Sequence, residues 1–398
     1  MSPGRGGGGE GPVRLRRPGP GPEALLLQLV RGAPEGGAWP EAEDARWDGA
    51  LGLAERHGVA PLLHAWSVGE VESSSVSMSI SVSAPILPPA VRSRLQQARL
   101  AELRRELQRE AVLHRALAAL AGAPGEAPLP VLLLKGAASA RTLYAAPELR
   151  PRGDLDLLVA PQGARLARAR LARAGFVRHP AARGTPEDDP AWHEHTLHDP
   201  AAPEAVIDLH QGLLQRERHG LEPGLLLQRG DQAPGLPGAA RLPSPVDAVL
   251  TCALSLAAHE LRSPLVVACD LALLLPRCDQ RLLAERARAG RVARALGLGL
   301  AWLLWLAGSG PSAALCGAPV ETPRARGLLA LLRLRPATRL LLGRLAGRYD
   351  LRRLALPRPE QLARKALLLD RPLDGVRLAA ATLGHRLRRR LRGSPTSD

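Results

Sequence analysis

The 398-residue chain has few aromatic side chains, which make up 2% of it, and only two lysines among its 54 basic residues. It contains no asparagine and only three isoleucines. Such a chain, rich in arginine, alanine, glycine and proline, is typical of a strongly GC-biased genome. Because that bias supplies much of the arginine, the net charge of +16 is weak evidence for nucleic-acid binding. The shortage of aromatics also argues against base stacking on single strands.

Cysteine and long apolar runs are scarce as well. The four cysteines show no Cys-x-x-Cys spacing, which argues against a zinc ribbon or a disulfide framework. The longest strongly apolar run, residues 295–310, is shorter than the roughly 18–20 residues of a membrane span. The N-terminus lacks the apolar core of a signal peptide. We therefore expect a soluble, cytoplasmic protein without a membrane span, whose cysteines are buried free thiols.

Positive charge is concentrated at the C-terminal end. Residues 321–398 contain 18 arginines, one lysine and six acidic residues, so they carry +13 of the net charge of +16. The sharpest basic run is HRLRRRLR at 385–392. A weak contact with nucleic acid or an acidic surface is expected of this segment, and a solvated helix end is the simpler alternative.

Glycine and proline breakers divide the chain into regions of different periodicity. Apolar residues at helical spacing before residue 125 predict helices, of which the longest runs from Pro89 to Ala121. Short apolar runs then predict a β-α-β-α-β-β unit, and helical periodicity returns after Pro243. The expected organisation is a disordered tail at 1–22, an N-terminal helical region at 23–125 with a low-complexity insertion at 72–83, a core at 126–218, and a C-terminal helical, arginine-rich region at 240–398.

Two aspartates, Asp154 and Asp156, lie two residues apart in a predicted strand at 154–160. Alternate strand residues share a face, so their carboxylates are expected side by side. Adjacent carboxylates repel, and Mg²⁺ or Mn²⁺ relieves that repulsion. If the strand at 205–210 is a neighbour, Asp208 completes a three-carboxylate site, which suits two-metal phosphoryl or nucleotidyl transfer. The alternative is a pair of solvated acids at a sheet edge.

The loop before these acids, Lys135-Gly136, joins a predicted strand to a predicted helix. Glycine allows a phosphate to approach the backbone, and a helix N-terminus offers free N–H groups. Lys135 adds a mobile positive charge. Because this chain uses arginine almost everywhere, a lysine here indicates a role that arginine does not fill. Arg150 and Gly153, in the turn before the acids, are further candidate nucleotide-binding residues. Arg152 and Arg141 are less favoured candidates, and Arg141 is equally compatible with a solvated helix position.

Residues 129–159, LPVLLLKGAASARTLYAAPELRPRGDLDLLV, resemble the bacterial uncharacterised nucleotidyltransferase family of the DNA polymerase β-like superfamily. The resemblance covers about residues 40–280 and includes a third-acid strand at 205–214. It implies an α+β fold with a small mixed-sheet core flanked by N- and C-terminal helical regions. It also implies Mg²⁺ held by the three aspartates, triphosphate near the Lys-Gly loop, and attack on the α-phosphorus with loss of pyrophosphate.

The expected function is therefore transfer of a nucleoside monophosphate from an NTP, with ATP as the expected donor, to an unidentified hydroxyl acceptor. Asp208 is expected to be the general base or the group that orients the base. Where the wider superfamily has Gly-Ser in the phosphate loop, this chain has Gly136-Ala137, so Lys135 is expected to supply the missing contact.

Two other functions are compatible with the sequence. One is a non-catalytic nucleotide- or nucleic-acid-binding protein on the same fold, with the arginine-rich C-terminus as its contact surface. The other is a metal-dependent hydrolase, because imidazole binds zinc and iron well. Its ligands would come from a cluster made of His193, His195, His198, Asp208 and His210.

Overall fold

The computed structural model describes residues 21–31, 39–41, 43–70, 85–180, 193–214, 219–259, 263–308, 314–315, 318–320, 322–346 and 369–370. Within them the chain forms an α+β fold, as expected. Residues 1–20 of the predicted tail, the 72–83 insertion and the basic run at 385–392 lie outside the described residues.

Four helices precede the sheet in the described part of the chain: α1 (Pro22–Arg31), α2 (Arg46–Arg56), α3 (Ala60–Ser67) and α4 (Pro89–Ala121). The predicted helix from Pro89 to Ala121 is confirmed at both ends. Proline suits the first turn because its fixed φ is already helical. Gly122 ends α4 with a φ of +87°, which disfavours any residue with a side chain.

The described residues form one mixed sheet of seven strands, in the order β3-β4-β5-β2-β1-β7-β6. Helices α5 (Lys135–Thr142), α6 (Ala164–Arg173) and α7 (Pro223–Arg229) lie between strands in the chain. The sheet is larger than the predicted core at 126–218, since β6 and β7 lie beyond it. Strands of two and four residues are too short to give a clear alternating pattern. The strands are β1 (Pro130–Leu133), β2 (Asp154–Leu158), β3 (Val177–Arg178), β4 (Glu194–Asp199), β5 (Ala202–His210), β6 (Asp231–Gln232) and β7 (Ala239–Leu242).

The C-terminal region is helical, as predicted, and contains α8 (Pro245–Ala258), α9 (Val266–Leu274), α10 (Gln280–Ala289), α11 (Ala293–Ala307), α12 (Thr322–Leu331) and α13 (Pro336–Ala346), with a short hairpin of β8 (Ala314–Leu315) and β9 (Ala318–Pro319). No helix among the described residues is long and apolar enough to cross a membrane. Cys252, Cys269 and Cys278 are buried free thiols, as expected.

Each face of the sheet packs on a different set of helices. Leu155, Leu157 and Ile207 lie in one buried cluster with the C-terminal half of α4 and with α6. Leu132 and Leu158 lie in a second cluster with the helices before α4 and after β7. Each fully buried leucine contributes roughly 1.5–3 kcal/mol, so both layers hold the central strands firmly. Asp154 and Asp156 alternate with Leu155 and Leu157, so they share the face of Leu158, toward the C-terminal helices.

Candidate active site

Asp154, Asp156 and Asp208 are brought together by the pairing of two strands. β2 and β5 run parallel, and Asp156 is the register partner of Asp208, which confirms that the two strands are neighbours. Each carboxylate offers one oxygen, and the three oxygens lie within 4.8 Å of one another. Asp208 Oδ1 is buried and has no hydrogen-bond partner. Three carboxylates that offer hard oxygen donors, one of them with an unpartnered oxygen, fit a divalent cation such as Mg²⁺ or Mn²⁺.

The electrostatics of these carboxylates also favour a cation. Repulsion from Asp156, followed by burial, raises the pKa of Asp154 to about 6. Burial is the main cause of the raised pKa of Asp208. Asp156 behaves differently: burial alone would raise its pKa, but Lys135 and His210 together hold it well below the usual range. A divalent ion would relieve the repulsion that remains around Asp154 and Asp208.

Lys135 and His210 both bind Asp156. Lys135 Nζ lies 2.6 Å from Asp156 Oδ1, and His210 Nε2 lies 2.7 Å from the same oxygen. Asp156 and His210 are each about 2% exposed at the side chain, whereas Lys135 is 31% exposed. Lys135 has a φ of +44°, which is uncommon for a residue with a side chain, and strained backbone of this kind clusters at functional sites.

The glycine of the loop is covered by an arginine. A Cβ at Gly136 would lie 2.5 Å from Arg150 Nη1 and 3.1 Å from Arg152 Cβ. Arg150 is held by Asp270 of α9, since its Nη2 donates to Asp270 Oδ2 at 2.7 Å. Tyr144 donates to the other oxygen of Asp270 at 2.7 Å. The close packing on Arg150 explains why position 136 is a glycine. The expected contact between Arg150 and a nucleotide stays a prediction.

A second buried ion pair fixes the same turn from the other side. Arg152 Nη2 donates to Glu106 Oε1 at 2.6 Å, and Arg109 in turn donates to Glu106. Because Arg150 and Arg152 are anchored to α9 and α4 respectively, the residues just before Asp154 are held at both sides. Sequence reasoning did not find these anchors. The available signal was an acid alone in an apolar helix, VVACDLALL, at Asp270.

A cleft of about 670 Å³ opens above the aspartates. One wall is formed by the sheet and the start of α5, and the other by α8, α9 and the α2–α3 turn. Gly153 borders the cleft, and a Cβ there would meet no atom within 4 Å. The cleft is also lined by Lys135, Gly136, Arg150, Arg152, Asp154 and Asp156. It therefore joins the predicted metal-binding and nucleotide-binding residues, Asp208 excepted, in one concave surface.

The histidines do not form a rival metal centre in the described part of the chain. The group there that is able to share an ion consists of the three aspartates, and no histidine belongs to it. His195 is the register partner of Leu209, which faces α4 and α6 on the side of the sheet away from the aspartates. Nothing in this arrangement supports the metal-dependent hydrolase.

Comparison with known families agrees with this geometry. The family described as uncharacterised nucleotidyltransferase matches residues 43–308, and the chain belongs to that family. The match covers the sheet, the three aspartates and helices α2 to α11. No curated protein and no solved structure matches the chain.

Proposed function

We propose that the protein transfers a nucleoside monophosphate from an NTP to a hydroxyl acceptor with the help of a divalent cation. Asp154, Asp156 and Asp208 would hold Mg²⁺ or Mn²⁺. When bound, the cation neutralises charge on the triphosphate and lowers the pKa of the acceptor hydroxyl. The observation that carries the proposal is a trio of carboxylates whose oxygens lie within 4.8 Å of one another. Asp208 has a buried oxygen without a hydrogen-bond partner, and Asp154 and Asp156 line the cleft.

In the proposed reaction the acceptor oxygen attacks the α-phosphorus of the NTP. A new P–O bond forms, the bond to the β-phosphate oxygen breaks, and pyrophosphate leaves. The acceptor's proton passes to Asp208, whose raised pKa suits it to act as the base. Thr196, the register partner of Asp208 on β4, hydrogen-bonds to it and orients it.

The triphosphate is proposed to lie along the Lys135-Gly136 loop. Lys135 provides a mobile charge, since its side chain is 31% exposed. Arg150 is a fixed positive charge beside the loop because Asp270 holds it. Gly153 leaves open space beside the aspartates for the ligand. We propose ATP as the donor and the cytoplasm, where NTPs and Mg²⁺ are abundant, as the compartment.

The test is incubation with each α-³²P-labelled NTP, Mg²⁺ and separate small-molecule, protein and RNA fractions of a cell extract. Label is expected in one fraction, with pyrophosphate release, and Asp208→Asn should abolish it. His195→Gln is the matched control because His195 faces away from the aspartates, and it should leave transfer unchanged. Mg²⁺-dependent NTP binding without transfer to any fraction would favour the non-catalytic binding protein instead.

Contact with nucleic acid through the arginine-rich C-terminus remains a separate prediction. Removal of residues 375–398 deletes six arginines and one acid, so it lowers the positive charge by five. If the segment binds RNA, the full chain should bind more tightly than the truncated one at low salt. That difference should vanish at high salt, because counterion release drives such binding.

A further inference from the structure

Lys135 already supplies a positive charge to the carboxylates that the proposed function assigns to a metal. Its Nζ lies 2.6 Å from Asp156 Oδ1. The pair is partly shielded from water, because the side chain of Asp156 is 2% exposed. An ammonium group in this position and a divalent cation on the same carboxylate would repel each other strongly, since their separation is only a few ångströms.

Of the two partners, Lys135 is the one that is free to move. Asp156 lies on a central strand and keeps a second hydrogen bond, from His210 Nε2 at 2.7 Å. Lys135 sits at the first position of α5, beside the cleft, with 31% of its side chain exposed. The lysine side chain has four rotatable methylene groups, so its tip can leave Asp156 without any change in the backbone.

We propose that Lys135 is a resident counter-cation of the three-aspartate site, which a divalent ion displaces on binding and which is then available to the triphosphate. The inference rests on the proposed metal site. It explains why the residue is a lysine in a chain with 52 arginines. A planar guanidinium that forms two parallel hydrogen bonds to a carboxylate would leave it less readily than a single ammonium point charge.

The metal site and the displacement can be tested separately, without activity as the readout. Mn²⁺ affinity of the NTP-free full-length protein is measured by electron paramagnetic resonance for the wild type, Lys135→Met and Lys365→Met. Lys365 is the chain's only other lysine, so it provides a matched control. Lys135→Met is expected to bind Mn²⁺ roughly tenfold more tightly than the wild type, because the competing cation is gone. Lys365→Met should bind like the wild type.

The second measurement follows the lysine itself. In Lys365→Arg, Lys135 is the single lysine. The amines that can be acylated are then Lys135 and the N-terminus, and mass spectrometry distinguishes the two. Acylation of Lys135 is expected to be slow without metal and to become several-fold faster when Mg²⁺ alone is added. A crystal structure of the Mn²⁺-loaded, nucleotide-free protein should show Nζ out of hydrogen-bond range of Asp156.

The outcomes separate the two proposals. If the wild type and Lys135→Met both fail to bind Mn²⁺, the metal site is wrong and the inference falls with it. If Mn²⁺ binds but Lys135→Met gains no affinity, the inference is overturned while the proposed function stands. The same holds if Nζ stays on Asp156 in the metal-loaded crystal. Tighter Mn²⁺ binding, faster acylation and a displaced Nζ together support it.

Discussion

Gly136 lies directly beneath the guanidinium of Arg150, so close that a Cβ at Gly136 would be 2.5 Å from Nη1. Arg150 cannot easily yield, because its Nε and Nη2 donate to Asp270 and its Nη1 to the carbonyl of Pro151. Gly136→Ala should therefore lower the free energy of unfolding by about 1–3 kcal/mol, the usual cost of overpacking a close contact. Urea denaturation measures the change. A variant as stable as the wild type would contradict this account of the loop.

Gly153 gives the opposite expectation, since a Cβ there meets no protein atom within 4 Å. Gly153→Ala should unfold at the same urea concentration as the wild type. It should nevertheless weaken Mg²⁺-dependent NTP binding by about tenfold, or about 1.4 kcal/mol, because the new methyl group projects into the cleft. Isothermal titration calorimetry measures this loss. Unchanged affinity would show that the nucleotide does not approach Gly153.

The buried pair of Arg150 and Asp270 should contribute strongly to stability only while it is complete. Asp270→Ala leaves a buried guanidinium without its partner, which typically costs about 3–5 kcal/mol. The control is Asp44→Ala, because Asp44 pairs with Arg46 at the surface and such exposed pairs contribute little. Thermal unfolding of both variants tests the contrast. Equal effects would mean that burial does not matter for this pair.

The double replacement Arg150→Met with Asp270→Leu should recover most of the lost stability, because apolar side chains of similar size fill the site without a charge. If the recovered protein still binds NTP weakly, Arg150 also acts on the ligand and not only on the fold. Full NTP affinity in the double variant would remove Arg150 from the set of nucleotide-binding residues.

Sequence periodicity predicted the face shared by Asp154 and Asp156, since alternation within one strand is a local property. The meeting of Asp156 with Asp208 required β2 and β5 to be neighbours. The sequence left this as a condition, and the strand register shows that the condition is met. The long helix α4 was also predictable, because breakers flank a continuous helical pattern.

The partners of Arg150 and Arg152 were not predictable in the same way. Asp270 is 120 positions from Arg150, and Glu106 is 46 positions from Arg152. No local sequence pattern pairs residues at such separations, because the packing of α4 and α9 against the loop determines which acid each arginine contacts. An isolated acid in an apolar helix, as in α9, is a signal of a buried, paired carboxylate, but it does not name the partner. For the same reason, composition alone did not separate an arginine that binds a ligand from one that holds a turn.

The opposite pKa shifts of Asp154 and Asp156 give opposite stability changes on neutralisation. Repulsion from Asp156 and burial raise the pKa of Asp154 to about 6 from an ordinary value of 3.8, so at pH 7 its charge destabilises the fold. The raised pKa makes a favourable contribution to the free energy of unfolding that is fully present below pH 3.8, where the carboxyl is protonated. That contribution is lost as pH rises through 6. Asp154→Asn should therefore be more stable than the wild type at pH 7 without metal, by about 1–2 kcal/mol after allowing for partial exposure.

Asp156→Asn should be less stable than the wild type at pH 7, because its pKa is lowered in the fold, where Lys135 and His210 overcome the effect of burial. Denaturant titrations between pH 4 and pH 7.5 in EDTA test both signs. The advantage of Asp154→Asn should shrink as pH falls from 6 toward 4, since the wild-type carboxyl is then protonated. With Mg²⁺ at pH 7, the wild type should become more stable than Asp154→Asn, because Mg²⁺ binds the folded wild type and stabilises it. If Asp154→Asn were already the less stable protein in EDTA at pH 7, the carboxylates would not be held in mutual repulsion, and the electrostatic argument for a cation between them would fail.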